Sequence, residues 1–142
     1  MRGIFPLTAA MATLAILASG TFSAIAQTQS VERSVRTAPN KDTQIGVYLN
    51  VLPDCTSGPL PTIRLATPPN SGKVVVKTAK VKATNYKSCL ALEVPAYVAF
   101  YKSPAEFLGN DVLTIEVKYP NGRTEIQTIT VNVVGAGAQQ KI

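Results

Sequence analysis

From Thr43 onward, apolar and polar residues alternate with a period of two, and helix signals are nearly absent. Ile45, Val47, Leu49 and Val51 predict one face of a first strand, which stops at Pro53-Asp54. A second runs from Thr62 to Ala66 and ends at Pro68-Pro69. Gly72-Lys73 opens a third through Val76, Lys80 to Thr84 makes a fourth, and Leu90 and Leu92 after Cys89 make a short fifth. Tyr97 to Tyr101 forms a sixth. The last two, Val112 to Tyr119 and Thr124 to Val134, are joined across Pro120-Asn121-Gly122, where Asn-Gly supplies the positive φ of a tight hairpin. Leu113, Ile115, Val117 and Tyr119 are expected to face a core, as are Ile129, Val131 and Val133. Ile126 is out of step, which predicts a β-bulge near Gln127 or Thr128.

Short strands at this spacing, in a chain with ten prolines and nine glycines, predict an all-β fold: an antiparallel β-sandwich of about seven or eight strands. Residues 43–135 form this domain. Upstream, residues 27–42 are polar and without periodicity and read as a flexible arm; residues 136–142 read as a disordered tail.

The first 26 residues read as a signal peptide: Arg2, an apolar run from Leu7 to Ala18, and the small-x-small sequence Ala24-Ile25-Ala26. The apolar run is interrupted by Thr8, Thr13, Ser19 and Gly20 and falls short of a spanning helix. The mature part is therefore expected to be periplasmic or secreted, with no transmembrane anchor. Of 142 residues this leaves 116, enough for one core. With Arg2 gone from the 14 basic residues, and 8 acidic ones remaining, the mature charge is +5. In an oxidising compartment the two cysteines, Cys55 and Cys89, are expected to form a disulfide, the alternative being two buried free thiols.

Two segments resemble the bacterial cadherin-like and Ig-like modules that occur as tandem repeats in large surface proteins. One is Pro69-Asn70-Ser71-Gly72-Lys73-Val74. The other runs from Tyr101 through Phe107-Leu108-Gly109-Asn110-Asp111 to Leu113, Ile115 and Val117. The resemblance spans about Thr62 to Val134 and departs from the family in placing Ser103 where a proline is usual, with Pro104 after it, and Leu113 and Ile115 where aromatics are common. It implies structural roles: Phe107 plugging the end of the sandwich, Gly109 adopting a backbone or approach that a Cβ forbids, and Asp111 accepting backbone hydrogen bonds. Asp111 as a calcium ligand finds no clustered acids beside it, so no metal is expected.

The sequence contains no histidine, which excludes His-dependent triads and His-ligated metals. No phosphate loop or dinucleotide motif occurs, and no cofactor is expected. Asp54, Glu93, Glu106, Asp111, Glu116 and Glu125 are isolated carboxylates, read as surface groups or turn formers, so the chain is not expected to be an enzyme. Charge is unevenly distributed. Between the cysteines lie Arg64, Lys73, Lys77, Lys80, Lys82 and Lys87 and no acid. Lys73, Lys77, Lys80, Lys82 and Lys87 are the candidate patch for an anionic partner; the competing reading is protection of an exposed edge strand. With one aromatic among the lysines, nucleic acid is not expected. The resulting expectation is a non-enzymatic module binding a protein or glycan at the cell envelope, the alternative being an electrostatic binder of anionic envelope polymers or lipids.

Overall fold

A computed structural model describes residues 27–86 and 89–135, with positions 3 and 19–21 upstream. The expected signal peptide is thus almost wholly outside the described residues, as are Lys87 and the segment from 136. Seven strands follow in order: β1 (Thr28–Thr37), β2 (Thr43–Tyr48), β3 (Thr62–Thr67), β4 (Lys73–Tyr86), β5 (Cys89–Lys102), β6 (Gly109–Lys118) and β7 (Thr124–Val133). They form two sheets, β1-β7-β6-β3 and β2-β5-β4. The fold is an all-β sandwich without helix among the described residues, closed by a Cys55–Cys89 disulfide, and it is compatible with an Ig-like module.

The core forms where the inner faces of the two sheets meet. Leu113, Ile115 and Val117 of β6 and Ile129, Val131 and Val133 of β7 pack against Ile45, Tyr48, Ala99 and Tyr101 from the other sheet, all buried. Two tyrosines cross the gap between the sheets. Tyr101 of β5 donates to Asp111 of β6 at 2.7 Å, and Tyr48 of β2 donates to Gln127 of β7 at 2.8 Å. Burial raises the Tyr48 phenol to about 12.

Several expectations are corrected. Residues 28–37 are not a flexible arm but strand β1, which adds in parallel to β7 over its whole length. Its polar sequence hides this because an edge strand buries little: Thr37 is enclosed, and Val31 and Val35 are half-buried. In the first expected strand the alternation is broken by an irregularity between Gln44 and Gly46, so Ile45 and Tyr48 enter the core while Val47 stays exposed. No bulge occurs in β7. Its register with β6 is unbroken, and the core position in question is taken by Gln127, whose polarity is satisfied by Tyr48 and by its own bond to Glu125. The final turn needs positive φ at Gly122 alone (88°), with Gly122 N–H bonded to the Tyr119 carbonyl and Arg123 N–H to Asn121 Oδ1.

The third and fourth expected strands are one strand, β4, and the fifth and sixth are one strand, β5; the two pair continuously from Lys73–Lys102 to Ala83–Leu92. Pro95 sits within β5 without breaking it. The β2 pairing ends at Tyr97, so at Pro95 the strand has a neighbour on one side only, where proline is tolerated.

Candidate functional site: the three-stranded sheet and its edge

The β4–β5 hairpin runs past the end of β2, and its far half needs support from elsewhere. A second small core supplies it: Val51, Cys89 and Val94 are buried together, with Leu49, Cys55 and Val81 against them. Cys55 sits at the tip of a tight turn, with φ of 67° and its N–H bonded to the Leu52 carbonyl. Asp54 Oδ1 accepts from the Thr56 N–H at 3.1 Å and holds the turn. From this tip the disulfide reaches Cys89 at the start of β5, with Cα atoms 5.7 Å apart. The disulfide therefore ties the connection between β2 and β3 to the outer part of the hairpin.

At the inner end of the hairpin stands the most polar group of the interior. The Asp111 carboxylate is only 2% exposed. It accepts from Tyr101 and from three successive backbone N–H groups, Asn70 at 2.8 Å, Ser71 at 3.2 Å and Gly72 at 2.8 Å. Burial pushes this carboxyl up, but the bonds from Tyr101, Gly72, Asn70 and Ser71 outweigh burial and hold it below its ordinary value. A Cβ at Gly72 would lie 2.4 Å from the Tyr101 ring, so glycine is required there for close approach. Gly109 is required for conformation instead: its φ is 126°, while its nearest neighbour, Phe107, is 3.9 Å from an added Cβ. Phe107 is half-buried against the main core. Asp111 is thus a structural clamp that fixes the loop leading into β4. Among the described residues no three metal-ligating groups cluster.

β4 is an edge strand, paired only with β5. Opposed residues of an antiparallel pair share a face, so the register divides the lysines. Lys73 and Lys77 stand on the outer face with Val75, opposite Lys102, Val98 and Phe100. Lys80 and Lys82 stand on the inner-facing side with Val74 and Val76, opposite Pro95 and Glu93. The candidate lysines thus form a ladder of exposed residues along both faces of one strand, with Lys80 and Lys82 sharing a face; Lys87 lies outside the described residues. Arg64 is elsewhere, on β3, where it pairs with Glu116 of β6 at 3.0 Å.

Two shallow features flank β4. On the outer face, a groove of about 360 Å³ is lined by Lys73, Val75, Phe100 and Lys102, with Asn40 and Asp42 at one rim. Lys77 Nζ lies 5.5 Å from the centre of the Phe100 ring. Lys73 and Lys102 oppose each other directly, an arrangement of like charges that costs stability unless something anionic lies nearby. On the other side, between the edges of the two sheets, a seam of about 320 Å³ is lined by Leu60, Pro61, Thr62, Ile63, Val76 and Tyr97. Beyond Val76 the residues on this side of β4, Thr78, Lys80 and Lys82, are exposed. Val75 is 51% exposed and Val76 43%.

No protein-family model matches the chain, and no curated protein or solved structure is significantly similar to it. What the site can do must therefore be read from its chemistry. Among the described residues, no helix is long and apolar enough to cross a membrane. Several of the candidate carboxylates are engaged with other groups: Asp111 in the clamp, Asp54 in its turn, and Glu116 with Arg64 and Lys118. Glu125 is engaged with Gln127. The β4 edge was legible in part: the lysines signalled it, but the alternation of Val74, Val75 and Val76 with them could not reveal that one strand shows both its faces.

Proposed function

We propose that this chain is an exported, non-enzymatic interaction module that binds a protein or glycan at the cell envelope. The observation that carries this reading is β4: a fourteen-residue edge strand with two exposed valines, four exposed lysines and a shallow recess on either side. Shallow recesses beside a sheet edge suit an extended or polymeric partner rather than a small substrate enclosed for catalysis. Export is supported by the leader sequence and by the disulfide, which persists in oxidising compartments. Membership of the cadherin-like and Ig-like modules is supported by the clamp, since Asp111 joins the two segments that carry the resemblance. Crosslinking of the full chain in its native envelope, at native expression, is expected to recover a defined adduct. Recovery of the uncoupled chain alone would overturn the reading.

A second reading, electrostatic binding to anionic envelope polymers or lipids, is favoured by the opposed Lys73 and Lys102. It requires binding that falls steeply with salt and is abolished by K77E/K80E/K82E.

A further inference from the structure

We infer that β4 is completed by an extended segment of another protein, which adds to its free edge as a fourth strand of the β2-β5-β4 sheet. The inference rests on the interaction-module reading and gives it a partner class: an extended peptide carrying adjacent apolar residues followed by acidic ones.

Along its free side an edge strand presents unpaired N–H and C=O groups, which offer hydrogen bonds to any chain laid beside it. Specificity then comes from side chains at alternate positions. In β4 these are ordered. Val75 and Val76 expose apolar surface on opposite faces, Val76 lining the seam with Ile63 and Tyr97, and Val75 lining the outer groove with Phe100. Further along come Lys77 on the outer face and Lys80 and Lys82 on the inner, all exposed. An added strand therefore meets valine twice, then lysine at three set positions. Apolar residues opposite Val75 and Val76, and glutamates opposite Lys77, Lys80 and Lys82, complement it on both faces.

Charge excludes the simplest alternative. Pairing β4 with β4 of a second copy would gather two sets of Lys73, Lys77, Lys80 and Lys82 on one ribbon, eight cations against Glu93 opposite each Lys82 and Asp42 in each outer groove. Lysine on an edge is a known guard against such pairing, and a guard of one sign still admits a partner of the other.

The test uses the full mature chain with its disulfide intact and two synthetic octapeptides of opposite chain direction. Each has adjacent valines, glutamates at the three positions facing lysine, and threonine elsewhere. One of the two is expected to bind, to slow hydrogen exchange in the amides between Lys73 and Lys82, and to lose binding at least tenfold when its alternate backbone nitrogens are methylated on the edge-facing side. K77E/K80E should also weaken it at least tenfold, and a peptide with lysine in place of glutamate should restore binding to that variant. Binding that is unchanged by N-methylation, or that is matched by polygalacturonate of equal charge, would overturn strand addition while leaving the interaction-module reading intact. No binding by either octapeptide would likewise overturn it. Failure to recover any adduct from the native envelope is the separate result that removes the broader reading.

Discussion

Asp111→Ala is expected to destabilise the domain by about 3–4 kcal/mol. The side chain makes four hydrogen bonds, and each bond to a charged group contributes roughly 1.5–3 kcal/mol when taken alone. The summed loss is smaller because water can reach the 70–72 loop once the carboxylate is gone, while the buried Tyr101 hydroxyl is left without its acceptor. Asp111→Asn should fall between the two, since an amide offers one acceptor oxygen and turns N–H donors toward those of the loop. The same clamp sets an acid limit. The folded-state carboxyl is held below its ordinary value of 3.8, so its contribution is present above that value and is lost as pH falls through the lower folded one. Urea midpoints of the wild type and Asp111→Asn should therefore converge below about pH 4. A constant gap down to strongly acid pH would show that the carboxylate is not the stabilising species.

Replacement of both cysteines, C55S/C89S, is expected to cost roughly 3–4 kcal/mol on the chain-entropy model for a sequence separation of 34. Its distribution matters as much as its size. The disulfide ends on the small core of Val51, Val81 and Val94, whereas the main core is held by the clamp and by ten buried residues between the sheets. Hydrogen exchange should accelerate first between about residues 79 and 94, with the β6–β7 amides remaining protected. The β4 edge would then lose its shape before the domain unfolds. Equal loss of protection in β6–β7 would mean that the two cores are one cooperative unit.

The parts of the fold that could be read from the sequence are those where burial on one side imposes alternation. In β6, Asp111, Leu113, Ile115 and Val117 face the core, and the same is true of Ile129, Val131 and Val133 in β7. Legibility failed wherever a strand is half solvent. β1 buries too little to show a pattern, and β4 shows residues on both faces, so one strand reads as two. Gln127 misled for a different reason: a buried amide looks like a phase error until its partner Tyr48, 79 residues away, is in place. The disulfide could be read from the expected compartment and the cysteine count, and the roles of Gly109 and Asp111 from a family resemblance. What could not be read was that the Asp111 acceptor reaches back to Gly72, because no local rule links positions 39 residues apart. The lysines were visible as a cluster, but only the register with β5 divides them between two faces.

The most direct test that the β4 edge is the working surface is site-specific photocrosslinking in cells. A photoactivatable residue is placed singly at Ala79, exposed on β4, or at Val112, exposed on the outer face of β6 in the opposite sheet. The expected result is a discrete protein adduct from position 79 that is absent from position 112. An adduct from position 112 with none from position 79 would contradict it.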